Sequence, residues 1–107
     1  MHAFTALADP TRRQIVEMLA VGERSAGEIA ERFEVSAPAI SQHLKVLREA
    51  RLVTVRAEAQ RRIYSLDADG IGAIDAWLAG IRRFWSTRLD ALERQLAAED
   101  TATGDTP

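Results

Sequence analysis

Residues 25–52, SAGEIAERFEVSAPAISQHLKVLREARL, constrain the fold more than any other stretch, because their polar punctuation marks two short helices joined by a tight turn. Ser25 and Glu28 have capping-box spacing, so a helix is expected to open at Ala26, with Ile29, Ala30 and Phe33 as its apolar stripe. Ser36 is placed to cap a second helix, and Pro38 falls in its first turn, where a missing N–H costs little. On that helix Ile40, Leu44 and Leu47 recur at i, i+4, i+7 and must face a core. Pro38, Ser41, Gln42, Lys45 and Glu49 point the other way. A helix about 10–12 Å across fits a DNA major groove, and short hydrogen-bonding side chains near its start suit the reading of base edges. The segment reads as a helix-turn-helix.

With 107 residues the chain has room for one domain and one core. It contains no cysteine, which excludes disulfides, thiolate metal sites and cysteine nucleophiles. No apolar run approaches the roughly 20 residues of a membrane span and no secretory signal pattern is present, so a cytoplasmic protein is expected. A net charge of −2 argues against a generally basic nucleic-acid binder. The distribution matters more than the sum. Residues 36–62 carry six basic side chains against two acidic ones, whereas residues 86–107 carry two against five. The positive field is concentrated where the helix-turn-helix lies.

Before this segment, residues 2–8 suit a short apolar helix. Asp9 then caps a second helix, with Pro10 at its first position and Gly22 at its end. After it, VTVRAE (53–58) and RRIYSL (61–66) alternate and are rich in β-branched residues, which predicts a two-stranded hairpin turning at Ala59–Gln60. Asp67 caps a final helix expected to run to about residue 98. Its apolar residues Ile71, Ile74, Leu78, Ile81, Trp85, Leu89, Leu92 and Leu96 recur almost as a heptad, widened by Trp77 and Phe84. Such a helix either lies across its own domain or pairs with a second copy. The second reading is preferred, because so small a domain has little use for so long a stripe. Domain 1–98 is then followed by a polar, acidic tail, 99–107, expected to be disordered.

The stretches ALADPTRRQIVEML, SAPAISQHLKVLREARLV and RRIYSLD, in this order, resemble the ArsR/SmtB family of prokaryotic repressors over about residues 3–96. The resemblance implies a mainly α fold with a β-hairpin wing, α-α-α-α-β-β-α, a winged helix-turn-helix that dimerises through its terminal helices. It implies a homodimer bound to a palindromic double-stranded DNA operator, often that of its own promoter. Family metal sites use cysteines on the helix before the turn, or His and carboxylate ligands on the last helix. RSAGEIAERF has no thiol and the last helix no histidine, and carboxylates alone are poor ligands for soft or borderline metals. The chain therefore resembles the metal-independent, autorepressor-like subgroup, with DAWLAGIRRFWSTRLDALE as its mark; no metal and no cofactor are expected, and the residues specify no inducer. Arg51 stands where many members have a Gly of positive φ, at a cost of roughly 1 kcal/mol that is either offset by a phosphate contact or simply tolerated.

Gln42 has the groups to bond adenine N6 and N7, Ser41 is permissive, and Ala37 and Pro38 suit a thymine methyl or a sugar edge. Lys45 is assigned to a phosphate or a guanine, and His43 either to a phosphate or to partly buried packing. Arg56, Arg61 and Arg62 mark the wing as a minor-groove or phosphate reader, with pairing of Arg62 to Glu58 as the structural alternative. Tyr64 is expected to pack at the wing base. Arg12 and Arg13 are assigned to the DNA backbone or to Asp9. Phe4, Ile74, Trp77, Leu78, Ile81, Trp85, Leu89 and Leu92 are the expected dimer interface. A winged-helix module that binds protein instead of DNA would carry an acidic or apolar recognition face, and this face is polar with Lys45. An enzyme is not expected, since Ser41, Gln42 and His43 on an exposed helix form no sheltered site.

Overall fold

The structure is a computed structural model that describes residues 2–104, with side chains as far as residue 99. In chain order the elements are α1 (His2–Leu7), α2 (Pro10–Val21), β1 (Arg24–Ser25), α3 (Ala26–Glu31), α4 (Ala37–Glu49), β2 (Val53–Glu58), β3 (Arg61–Leu66) and α5 (Ala68–Gly104). They fall into two compact units, the first ending at Ile74 and the second beginning at Asp75.

Capping sets most of these boundaries. The Thr11 and Arg12 N–H groups donate to Asp9 Oδ1 at 2.8 and 3.1 Å, and Pro10 opens α2 without losing a useful donor. At α3 the capping box is complete: Glu28 N–H donates to Ser25 Oγ (3.1 Å), and Ser25 N–H donates to the Glu28 carboxylate (3.0 Å). Ser36 Oγ accepts from Ala39 N–H at 3.3 Å and starts α4. Asp67 Oδ1 accepts from Asp69 N–H at 3.0 Å and starts α5.

α4 ends in a Schellman motif. Arg51 N–H donates to the Arg48 carbonyl and Leu52 N–H to the Leu47 carbonyl, both at 3.0 Å, with Arg51 left-handed at φ 61°. Leu47 and Leu52, the apolar pair that closes such a motif, are both fully buried. Gly22, in contrast, ends α2 at φ 170°, an extended conformation open to any residue.

Ile15 and Leu19 from α2, Ile29 from α3, Ile40, Leu44 and Leu47 from α4, and Leu52, Val53 and Tyr64 form one buried core, against which Ile71 and Ile74 of α5 pack. Each fully buried aliphatic side chain contributes about 1.5–3 kcal/mol. The three anchors of α4 therefore outweigh its poorer helix formers, which cost at most about 0.7 kcal/mol each.

The wing is a three-stranded antiparallel sheet in the order β1-β3-β2. Val53 pairs with Leu66 and Glu58 with Arg61, and β1 joins through Arg24–Tyr64 and Ser25–Ile63. The hairpin turns on Ala59, at φ 56°, while Gln60 is not positive, the φ pattern of a type II′ turn built without glycine. The two-residue β1 was not expected, because a strand so short shows no period.

α5 continues to Gly104 and does not stop near residue 98, so the beginning of the tail expected to be disordered is helical; 105–107 lie outside the described residues. Glu93, Arg94, Gln95 and Leu96 supply good helix formers up to Ala97 and Ala98, and nothing before Gly104 breaks the helix.

Candidate nucleic-acid interface

The periodicity that buries Ile40, Leu44 and Leu47 turns Ala37, Pro38, Ser41, Gln42, Lys45, Arg48 and Glu49 of α4 to the exterior, and all seven are exposed. Short side chains crowd the start of the helix and cations its second half. His43 lies between the two faces and is half-buried. Arg12 Nη1 stands 3.3 Å from its Nδ1. A guanidinium only donates, so this contact is a hydrogen bond in the tautomer that leaves Nδ1 free to accept.

Arg12 and Arg13 do a job the sequence reading did not give them. Arg12 Nε donates to the Ala6 carbonyl at 2.6 Å and Arg13 Nη1 to the Leu7 carbonyl at 3.2 Å. They satisfy orphan carbonyls at the end of α1. Asp9 is held by backbone N–H groups instead, led by that of Arg12, which with the nearby His43 keeps its carboxyl below the usual aspartate value.

In the wing, Arg56 forks onto the Glu23 carboxylate at 2.6 and 2.9 Å and also reaches Glu58 at 3.0 Å. Hydrogen bonding to Arg56 lowers the Glu23 pKa, and the same bonds push Arg56 still higher. Arg61 donates to Glu28 at 2.9 Å, while the Ser25 backbone and hydroxyl do most to hold Glu28 below its ordinary value. The pairing considered for Arg62 and Glu58 does not form. The register sets Glu58 opposite Arg61 and Arg62 opposite Ala57, and the Glu58 carboxylate goes to Arg56. Tyr64 is buried at the wing base, as expected.

A cleft of about 370 Å³ runs between α4 and β3, lined by Ala26, Ser41, Lys45, Arg48, Glu49, Arg62 and Tyr64. Arg48 is not among the interface residues expected from the sequence. Its signal was present, since Ser41, Lys45 and Arg48 recur at i, i+4, i+7 on one stripe.

Among the expected interface residues, Phe4 is exposed on α1. On α5, Trp77, Leu78, Trp85, Leu89 and Leu92 are 41–55% exposed, Phe84 and Leu96 are exposed as well, and Ile74 and Ile81 are half-buried. Phe84 and Trp85 meet edge to face at 6.4 Å, and the Arg88 guanidinium lies 5.4 Å from the Phe84 ring centre. No helix among the described residues is long and apolar enough to cross a membrane.

Residues 9–55, from the cap of α2 to the start of the wing, match the family model of bacterial regulatory proteins of the arsR family. An HTH-type transcriptional regulator of Mycobacterium tuberculosis is 46% identical over 102 residues, which cover 95% of this chain and 92% of that protein. The transcriptional repressor SdpR of Bacillus subtilis is 42% identical over 66 residues, 62% of this chain and 73% of that one. Among solved structures, the homodimeric winged helix-turn-helix DNA-binding domain of a possible ArsR-family regulator from Mycobacterium bovis is similar, with a TM-score of 0.63 and 28% identity, covering 77% of this chain and 76% of that one. These relatives are regulators of transcription and not enzymes. The chain belongs to the arsR family of bacterial regulatory proteins, with α3 and α4 as its helix-turn-helix and the β2–β3 hairpin as its wing.

Proposed function

We propose that the chain acts as a homodimeric, sequence-specific DNA-binding repressor of its own operon, with α4 in the major groove and the wing on the minor groove or the backbone. The observation that carries this reading is the exposed face of α4, where Ala37, Pro38, Ser41 and Gln42 lead and Lys45 and Arg48 follow. It supplies base-edge groups first and phosphate-binding cations behind them, the order in which a helix entering a groove meets DNA. The Mycobacterium bovis domain, described as homodimeric and DNA-binding, supports the same reading.

Dimerisation is supported by the apolar stripe of α5, since a soluble monomer rarely exposes a patch of that size. A twofold pair places two recognition helices about one DNA turn apart, so the preferred operator is an inverted repeat with half-site centres roughly 10–11 base pairs apart. The regulator works without a metal. This rests on the absence of cysteine and of histidine on α5.

Gel shift with the DNA upstream of the chain's own gene, with and without added zinc, tests the reading. A discrete shift that resists unlabelled random DNA and ignores zinc is expected. Equal competition by random DNA removes sequence specificity, and release by zinc below roughly 1 µM removes metal independence.

A further inference from the structure

The wing arginines are not equivalent. Arg56 and Arg61 already hold carboxylates, Glu23 and Glu58 for the first and Glu28 for the second. Over a Debye length, about 10 Å at 0.1 M salt, the Arg61 pair is neutral and the Arg56 group, with two carboxylates, is net negative. The N–H groups that hold the carboxylates are withdrawn from a phosphate for as long as those charge-assisted bonds last. The guanidinium of Arg62 forms no ion pair or side-chain hydrogen bond among the described residues, and neither does that of Arg48 or the ammonium of Lys45.

These three cations line one cleft, with Glu49 as its only carboxylate. Lys45 and Arg48 come from one stripe of α4, and Arg62 and Tyr64 from one face of β3. The cleft thus sits between the helix assigned to the major groove and the hairpin assigned to the minor groove. With the two elements so assigned, the DNA strand that separates the grooves would pass between them.

We propose that Lys45, Arg48 and Arg62 form a phosphate clamp in this cleft for the DNA backbone, and that Arg56 and Arg61 brace the hairpin against Glu23 and Glu28. The assignment rests on the DNA-binding reading above. It adds Arg48 to the interface and takes two wing arginines out of it.

Fluorescence anisotropy with a labelled random-sequence duplex, titrated from about 50 to about 200 mM salt, separates the roles. Lys45→Ala, Arg48→Ala and Arg62→Ala are each expected to weaken binding several-fold and to lower the salt slope by about one per lost contact. Arg62→Lys keeps the charge and retains most of the slope. Arg56→Ala and Arg61→Ala keep the slope and lower the melting temperature. Circular dichroism confirms that each variant is folded. A slope lost in Arg56→Ala or Arg61→Ala, or unchanged in Arg48→Ala and Arg62→Ala, overturns the clamp. Inorganic phosphate forms a second arm, against chloride of equal ionic strength. Displacement of the duplex beyond the chloride control is expected for the unaltered protein and is expected to shrink in Arg62→Ala; an equal excess in both places the anion elsewhere and overturns the clamp. An unaltered protein that binds no duplex at the lowest salt refutes the DNA reading itself, an outcome distinct from a failed clamp.

Discussion

Gly70 in the first turn of α5 lies against the backbone of Arg51, so close that a Cβ built on it would stand 1.7 Å from the Arg51 carbonyl oxygen. The obstacle is main chain and cannot swing aside. Gly70→Ala would gain up to about 1 kcal/mol of helix propensity. The overpacking it forces costs about 1–3 kcal/mol or more and wins. Urea denaturation is expected to show a lower midpoint for Gly70→Ala and a raised one for Gly72→Ala, whose Cβ would meet open space and leave the propensity gain unopposed.

Arg51 carries the other half of this junction at φ 61°. A left-handed non-glycine residue costs roughly 1–2 kcal/mol, part of which glycine returns through the greater freedom of its unfolded chain. Arg51→Gly is expected to stabilise the fold by up to about 1 kcal/mol in the same measurement. Weaker duplex binding by this variant would assign Arg51 a phosphate.

Gln42→Ala is expected to cost about 1–3 kcal/mol on the specific operator and little on random DNA, because Gln42 is exposed in the early part of α4 where base edges are read. Parallel titrations of the two duplexes decide it. Equal losses on both would make Gln42 a backbone contact.

Acid should loosen the wing and the start of α2. Asp9, Glu23 and Glu28 have carboxyls lowered in the fold, from ordinary values of 3.8 for Asp and 4.5 for Glu. The folded chain therefore binds fewer protons than the unfolded one as pH drops through that range. The stability these groups contribute is complete above the ordinary values and is lost as pH falls through the lowered ones. Urea midpoints are expected to hold near neutrality and to fall below about pH 4, with a shallower fall in Glu23→Gln. An unchanged slope in that variant would mean that the Arg56 pair contributes nothing.

Leu78→Glu combined with Leu89→Glu places charge on the apolar stripe of α5, where both leucines are about half exposed. Sedimentation is expected to give a dimer for the unaltered protein and the 11.8 kDa chain for the double variant, with far weaker operator binding. An unaltered protein that sediments at the single-chain mass with its operator affinity intact would end the dimer reading.

What was legible in the sequence was local. Ser25 with Glu28, Ser36 with Pro38, Asp9 with Pro10 and the alternation of VTVRAE and RRIYSL each act within a few residues, and each became a cap or a strand where expected. What was not legible joins distant positions. Arg56 meets Glu23 and Arg61 meets Glu28 across 33 residues of chain, and no spacing rule connects them. No local pattern connects Gly70 with the Arg51 carbonyl that it meets. Gly22, expected as the terminator of α2, is extended, whereas the positive φ that the family resemblance implied at Arg51 is present. For the interface, helical spacing brought out Ser41, Gln42 and Lys45, whereas ranking Arg56, Arg61 and Arg62 required knowing which carboxylates lie near them.

A hairpin held out toward solvent also invites other strands. β3 lies between β2 and the two-residue β1, so the six-residue β2 presents the longer open edge of this sheet. Thr54, Arg56 and Glu58 alternate along that strand, all exposed, with the cation linked to carboxylates at two points. Charge placed in this way obliges an incoming strand to strip water from an ion-pair network before it gains a ladder hydrogen bond. The brace that keeps two arginines from DNA thus also guards the rim, and helps the protein to present a bare wing without stacking wing upon wing into aggregates.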